Sequence, residues 1–116
     1  MTFNYNTSQQ KGITVFKLEG EIIDKGQTTG LTDQINTLLS SGKKRIVLEL
    51  AGIKYMNSSG LNVLVNILTK TRSAGGDVTI CNVSPKVRDL LVVTKLDTIF
   101  HILPTVEDAV KKLVGE

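Results

Sequence analysis

The sequence has very little cysteine, histidine and aromatic residue, and each shortage excludes a class of function. There is one cysteine, one histidine and no tryptophan in 116 residues, and aromatic residues make up 4%. The lone Cys81 cannot form an internal disulfide, and together with the lone His101 it cannot supply the spaced ligands of a zinc site. We therefore expect no metal ion, no cofactor and no redox role. The surroundings of Cys81 and His101 are apolar and predict packed strand residues.

Long apolar runs and broad basic surfaces are also missing. No segment reaches the uninterrupted apolar length that a bilayer span requires, and residues 1–6 lack the basic start and apolar run of a secretory signal. The net charge is only +3, and the densest basic run, Lys43–Arg45, has no aromatic residues interleaved for base stacking. We expect a cytoplasmic protein whose partners include neither a membrane nor, by direct contact, nucleic acid.

The hydrophobic pattern of residues 1–116 predicts one α/β domain. Turn residues at 10–12 separate two segments of strand formers, which indicates an opening β-hairpin. Strand and helix segments then alternate, which predicts a mixed, mostly parallel sheet of about five strands with about four helices. Beyond the first strand, we predict strands at 13–18, 45–50, 77–83 and 97–104, and helices at 31–39, from 58 or 59 to 73, at 85–91 and at 105–113.

The stretch Tyr55–Leu61, YMNSSGL, joins a predicted strand to the second predicted helix. Loops after the carboxyl ends of parallel strands are where such sheets place their functional residues. A nucleophilic serine would need a nearby base and usually the elbow G-x-S-x-G, whose first glycine is missing here. Phosphate-binding glycine loops are absent as well. Asn57 or Ser58 could instead cap the helix, because their side chains accept hydrogen bonds from early backbone N–H groups.

The chain as a whole resembles the STAS domain of anti-sigma factor antagonists. The resemblance is carried by the strand Ile46–Leu50, the turn Met56–Leu61, the helix end Ala74–Gly76 and the segment Val83–Pro85, in that order. Four of the five positions of the family motif Asp-Ser-Ser/Thr-Gly-Leu are matched by residues 57–61. The segment Gly20–Asp24 is similar to the family's Gly-Glu-Leu-Asp. The resemblance implies a STAS-type fold.

The resemblance also implies a switch protein that is a substrate and not an enzyme. In the family, the first serine of the motif is phosphorylated by an anti-sigma factor that is a GHKL-type serine/threonine kinase, and a PP2C-type phosphatase reverses this. The unphosphorylated form binds the kinase so that a sigma factor is released. Carried over, Ser58 is the phosphoacceptor, with Ser59 as second choice, and the free protein is expected to be a monomer. The implied partner-binding residues are Asn57, Ser58, Ser59, Gly60, Leu61 and Asn62, with Asp24 and Ser84 as neighbours.

Two departures from the family pattern keep other interpretations open. Asn57 stands where the family has an aspartate, and Gly20–Asp24 holds one residue more than Gly-Glu-Leu-Asp. One alternative is a STAS interaction or scaffold module that is not phosphorylated. Another is an esterase-like enzyme, which would be labelled at Ser58 by a fluorophosphonate; we expect no such labelling.

Overall fold

The computed structural model of the protein describes residues 3–115, so positions 1, 2 and 116 of the predicted domain lie outside the described residues. The strands form one five-stranded sheet, and four α-helices and two short 3-10 helices connect or follow them. The strands are β1 (Phe3–Gln10), β2 (Ile13–Ile22), β3 (Arg45–Met56), β4 (Asp77–Cys81) and β5 (His101–Leu103). The helices are α1 (Thr29–Ser40), α2 (Ser58–Ser73), α3 (Pro85–Val93) and α4 (Val106–Val114). The 3-10 helices are Lys25–Thr28 and Leu96–Thr98.

The sheet follows chain order, β1-β2-β3-β4-β5, and is mostly parallel. β1 pairs antiparallel with β2 through the hairpin, whereas β2/β3, β3/β4 and β4/β5 are parallel pairs. The turn that closes the hairpin uses Lys11 and Gly12, both with positive φ. The predicted α/β class, with its entering hairpin, five strands and four α-helices, is therefore confirmed.

Helices cover both faces of the sheet. The larger core lies on one face, where α1, α2 and α3 pack on β2, β3 and β4. The smaller core lies on the other face beneath α4, where Cys81 packs with Val15, Val47, Ala109 and Leu113. Two-sided cover explains why β3 begins with a continuous apolar run, since a central parallel strand is buried on both faces. No helix within residues 3–115 is both long and apolar enough to cross a bilayer.

The boundaries of β3 and β4 differ from the prediction. β3 continues from Leu50 to Met56, while β4 ends at Cys81, which pairs with Glu49. The β2/β3 pairing shifts register twice in this part, so the buried residues Leu50, Ile53 and Met56 no longer alternate with exposed ones. Strand prediction relies on a period of two in the hydrophobic pattern. Because the register shifts break that period after Leu50, the sequence pattern did not predict the second half of β3.

The predicted strand at 97–104 is wrong over its first half. Lys95 has a φ of +62° and is followed by the 3-10 helix Leu96–Thr98, so the strand begins only at His101. The local hydrogen bond from the Thr98 hydroxyl to the Lys95 carbonyl stabilises this turn. Short polar side chains make such bonds in competition with strand ladders, which the apolar pattern of the segment does not reveal.

Candidate functional site at the amino end of helix α2

Asn57 is the single residue between β3 and α2, and it caps the helix. Its backbone is extended, and its Oδ1 accepts a hydrogen bond from the Gly60 N–H at 3.2 Å. Its Nδ2 donates to the carbonyl of Ile23 at 3.1 Å, and its backbone N–H donates to the carbonyl of Ile22 at 3.3 Å. Of the two cap candidates the sequence left open, the structure selects Asn57. Through its hydrogen bond to Ile23, the Asn57 side chain also links the start of α2 to the residue that follows β2.

Ser58 and Ser59 are the first two residues of α2, and both are exposed. Within residues 3–115, neither hydroxyl takes part in a side-chain hydrogen bond, because the capping position belongs to Asn57. The first turn of α2 contains no acidic residue. The early N–H groups of a helix have no intrahelical partner and carry a partial positive charge. The two hydroxyls therefore lie at an electropositive helix end, accessible to a partner.

Gly60 is required by the close approach of α2 to β2. A Cβ at this position would overlap the carbonyl oxygen of Ile22 and lie 2.9 Å from the Cβ of Met56. Gly60 and the neighbouring Leu61 are both buried, with Leu61 5% exposed. Of the predicted partner-binding residues, these two therefore support the loop from beneath, whereas Asn62, the fifth residue of α2, is exposed.

Asp24 lies in the loop after β2 and caps the 3-10 helix Lys25–Thr28. Its Oδ1 accepts from the Gly26 N–H at 3.0 Å, and the Gln27 side chain accepts in return from the Asp24 N–H at 3.0 Å. The Gln27 side chain also accepts from the N–H of Ile23, the residue whose carbonyl bonds Asn57. The structure thus brings the loop of Asp24 next to the start of α2 and gives the Asp24 carboxylate a local structural partner.

Ser84 caps α3, and its hydroxyl accepts from the Val87 N–H at 3.3 Å. The link from this helix to the serine loop is made by two residues that the sequence analysis did not select. The Lys86 ammonium lies 5.4 Å from the centre of the Tyr55 ring, a cation–π contact. Tyr55 is 40% exposed and is the second-last residue of β3. A lysine just after a Ser-Pro helix start is the signal that was missed, since basic residues are unfavourable at a helix amino end.

The histidine lies away from the serines. His101 Nε2 is 3.6 Å from Oδ2 of Asp77, the first residue of β4, which pairs with Arg45 at the amino end of β3. Ser58 follows the carboxyl end of β3, so the two sites are at opposite edges of the sheet. Nothing within residues 3–115 therefore places a general base on the Ser58 hydroxyl, which nucleophilic catalysis would need.

Burial keeps Cys81 from reacting. It is fully buried under α4, and this desolvation, with a smaller contribution from the nearby charge of Glu49, raises the pKa of its thiol to about 12. The thiolate is the reactive form of cysteine, so this thiol is inert in the folded state.

Comparison with known proteins identifies related chains over nearly the full length. A family model described as the STAS domain matches residues 4–109. An anti-sigma F factor antagonist from Paenibacillus polymyxa is 27% identical over 114 residues, which cover 97% of this chain and 94% of that protein. The crystal structure of an anti-sigma factor antagonist from Mycobacterium paratuberculosis is similar with a TM-score of 0.82, at 23% identity and with 97% and 94% of the two chains covered.

A third protein with a similar fold has been solved in two states. SpoIIAA, a Bacillus cell fate determinant, gives a TM-score of 0.75 in its unphosphorylated form, at 18% identity and with 97% of this chain and 100% of that chain covered. The phosphorylated form gives a TM-score of 0.73, at 19% identity and with 94% and 98% covered. Both forms therefore share the fold described above.

Proposed function

This chain belongs to the STAS domain family, and we propose that it acts as an anti-sigma factor antagonist switched by phosphorylation of Ser58. Its unphosphorylated form binds an anti-sigma factor of the GHKL serine/threonine kinase type, and a sigma factor is released. The kinase then transfers the γ-phosphoryl group of ATP to the Ser58 oxygen, with ADP leaving and the hydroxyl proton lost, and a PP2C-type phosphatase reverses the step. The observation that carries the proposal is the exposed, unbonded Ser58 hydroxyl at the first position of α2.

The surroundings of Ser58 are suited to a phosphate. A phosphoserine carries a charge of about −1.5 to −2 at neutral pH. Its oxygens would lie near the partnerless N–H groups of the first turn, and that turn has no carboxylate to repel them. The cap of α2 survives, because Asn57 supplies it and not the modified serine. The modification therefore changes the surface without removing a bond that holds the fold.

The phosphate on Ser58 changes the binding of the anti-sigma factor. A partner that accepts a neutral hydroxyl against its surface would have to desolvate about two negative charges after phosphorylation. Binding is lost electrostatically while α2 stays in place. The protein is thus the substrate of the reaction, and its own residues supply position and exposure, not catalysis.

The partner surface that we propose has an exposed part and a supporting part. Ser58, Ser59 and Asn62 form the exposed part, Asn57 beside them is half-buried, and Gly60 and Leu61 are buried under them. The Asp24 loop lies beside it through the Asn57 bond to Ile23, and the Ser84 end of α3 lies beside it through Tyr55 and Lys86. Residues 1–116 are proposed to act as one STAS domain.

A second candidate function is a STAS interaction module that is never phosphorylated. Asn57 is the observation in its favour, since this neutral amide has its oxygen and nitrogen engaged and brings no charge to a kinase active site. Such a module would use the same surface constitutively.

Phosphorylation assays separate the two candidates. The purified protein is incubated with ATP and each GHKL-type anti-sigma factor from the same organism, and phosphopeptides are mapped by mass spectrometry. We expect one phosphate on Ser58, none in Ser58→Ala, and continued modification in the matched variant Ser59→Ala. Binding of a kinase without phosphate transfer would support the interaction module. Phosphate on Ser59 alone would keep the phosphorylation switch but show that Ser59, and not Ser58, is the acceptor.

A further inference from the structure

We propose that Tyr55 and Lys86 form a second contact point for the anti-sigma factor and bind a carboxylate on its surface. This inference rests on the proposed function and adds to it the charge of the partner. Tyr55 is the second-last residue of β3, close in sequence to Ser58, and Lys86 is in the first turn of α3. Their 5.4 Å contact links the end of β3, three residues before Ser58, to the start of α3.

Tyr55 has the properties of an interface anchor. It is a large aromatic residue that is 40% exposed, although it lies on the strand that fills the core. Tyrosine is enriched at the centres of protein interfaces because it supplies contact area at low entropic cost and carries a polar hydroxyl. The Lys86 ammonium over the ring holds both side chains in one arrangement before the partner arrives.

Lys86 is not explained by the stability of α3. It follows Pro85 in the first helical turn, which contains no acidic residue. A positive charge there opposes the helix dipole, and a glutamate would suit the helix better. Within residues 3–115, Lys86 makes its contact with Tyr55 and no ion pair. A residue that costs the helix stability and has no acidic partner in the described chain is expected to serve an external one.

Charge around the two helix starts favours an acidic partner surface. The first turns of α2 and α3 both lack carboxylates, and Lys86 adds a full charge to their partial positive charges. Two carboxylates lie close in the fold: Glu21 pairs with Tyr55 across β2 and β3, and Asp89 follows Lys86 by three residues in α3. Within the described residues neither forms an ion pair with Lys86, so its ammonium is available to an external carboxylate. Phosphorylation of Ser58 would then place a dianion where the partner's carboxylates bind. The phosphate would then weaken binding in two ways. It would repel the partner's carboxylates, and it would neutralise the positive charge of Lys86 that attracts them.

Charge reversal at Lys86 tests the inference. The probe is the purified kinase that phosphorylates Ser58, and its affinity for the unphosphorylated protein is measured by calorimetry. We expect Lys86→Glu to weaken binding by about tenfold or more, as reversal of an interfacial charge does. Tyr55→Ala should also weaken it. The control Lys43→Glu makes the same charge change in the loop before β3, at the other edge of the sheet, and should alter the affinity by less than about twofold.

The melting temperature of Lys86→Glu and the salt dependence of binding distinguish loss of the Lys86 charge from loss of the fold. Lys86→Glu should melt at the same or a higher temperature than the unsubstituted protein, so weaker binding could not come from unfolding. Wild-type binding should weaken with added salt more steeply than Lys86→Glu binding. Equal affinity of Lys86→Glu and the unsubstituted protein would overturn the inference alone. Failure of the unsubstituted protein to bind any such kinase would instead overturn the proposed function.

Discussion

Asn57 makes two contacts with one amide, and each needs a different atom. Its oxygen caps α2 at Gly60, and its nitrogen donates to the carbonyl of Ile23. An aspartate could make the first contact but not the second, because an ionised carboxylate has no donor. The departure from the family's acidic residue is thus consistent with the hydrogen bonds of this chain. Ser58 keeps a free hydroxyl because Asn57 takes the capping position.

Replacement of Asn57 is predicted to give a graded loss of stability. Asn57→Ala loses the cap, at a cost of about 0.5–2 kcal/mol, and also leaves the Ile23 carbonyl without its donor. Asn57→Asp keeps the cap but turns a carboxylate oxygen toward that carbonyl, a cost of about 1–3 kcal/mol that the helix dipole offsets by about 0.3–1 kcal/mol. Urea unfolding should rank wild type first, Asn57→Asp second and Asn57→Ala last. An Asn57→Asp protein as stable as wild type would show that the bond to Ile23 contributes no more than the charge gains from the helix dipole.

Gly60 is predicted to be intolerant of a single added methyl group. The Cβ of Gly60→Ala would overlap the Ile22 carbonyl oxygen and press on Met56, so we expect a loss of about 1–3 kcal/mol or more in the free energy of unfolding. The matched control is Gly30→Ala in α1, where the nearest atom to a new Cβ is the Tyr5 hydroxyl at 3.8 Å. There the higher helix propensity of alanine should stabilise by about 0.5–1 kcal/mol. Equal effects at the two glycines would contradict the close approach of α2 to β2.

At the scale of elements, the helices were largely predictable and the sheet only in part. Ser84-Pro85 marked the start of α3 and Gly42 the end of α1, because caps and stops act through neighbouring residues. The second half of β3 was not predictable, since its register shifts depend on β2, which is distant in sequence. The serine loop could be found from its residue types and its place after a buried strand.

The neighbours of the serine loop could not be found in the same way. The contact between Tyr55 and Lys86 joins residues from different elements. Their proximity depends on β4 ending at Cys81 while β3 continues to Met56. The hydrophobic pattern within one segment does not predict where the end of one strand lies relative to the end of its neighbour in the sheet.

A negative charge at the start of α2 is predicted to strengthen the helix. Ser58→Asp places a carboxylate at its first position, where the dipole should add about 0.3–1 kcal/mol to the free energy of unfolding at low salt. The control Ser73→Asp makes the same change at the last residue of α2 and should destabilise by a similar amount. Both effects should shrink in high salt. Chemical denaturation at two salt concentrations measures them. Destabilisation by Ser58→Asp would contradict the view that the phosphate is tolerated there.

At the scale of the whole molecule, the two faces of the sheet have separate tasks. The face under α1, α2 and α3 positions the candidate site, while α4 closes the other face over Cys81. The buried thiol should therefore report global unfolding. We expect a thiol reagent at neutral pH to modify Cys81 only as fast as the whole chain opens, so that the rate rises in parallel with the unfolded fraction in urea. Rapid modification in native buffer would mean that α4 opens by itself.

The raised pKa of Cys81 also predicts a loss of stability in alkali. The ordinary thiol pKa is 9.0, whereas the folded thiol ionises at about 12. Between these values the unfolded chain has released a proton that the folded chain retains, so the free energy of unfolding falls as pH rises. Below the lower value this contribution is fully present. Urea unfolding from pH 8 upward should show a steeper decline for wild type than for Cys81→Ala, which lacks this group but keeps every lysine and tyrosine. Equal slopes would mean that the thiol is hydrated in the folded state.

The proposed phosphate is predicted to act locally on this molecule. Its attachment point lies outside both cores, the Asn57 cap does not use the Ser58 hydroxyl, and the dipole of α2 favours the added charge. Amide NMR spectra of the unphosphorylated and phosphorylated protein should therefore differ at the start of α2, at the loop after β2 that Asn57 holds, and at the start of α3. The amides of β4 and α4 serve as the internal control and should not move. Shifts spread through those elements would show that phosphorylation rearranges the fold, and electrostatic blocking of the partner would then have to give way to a conformational switch.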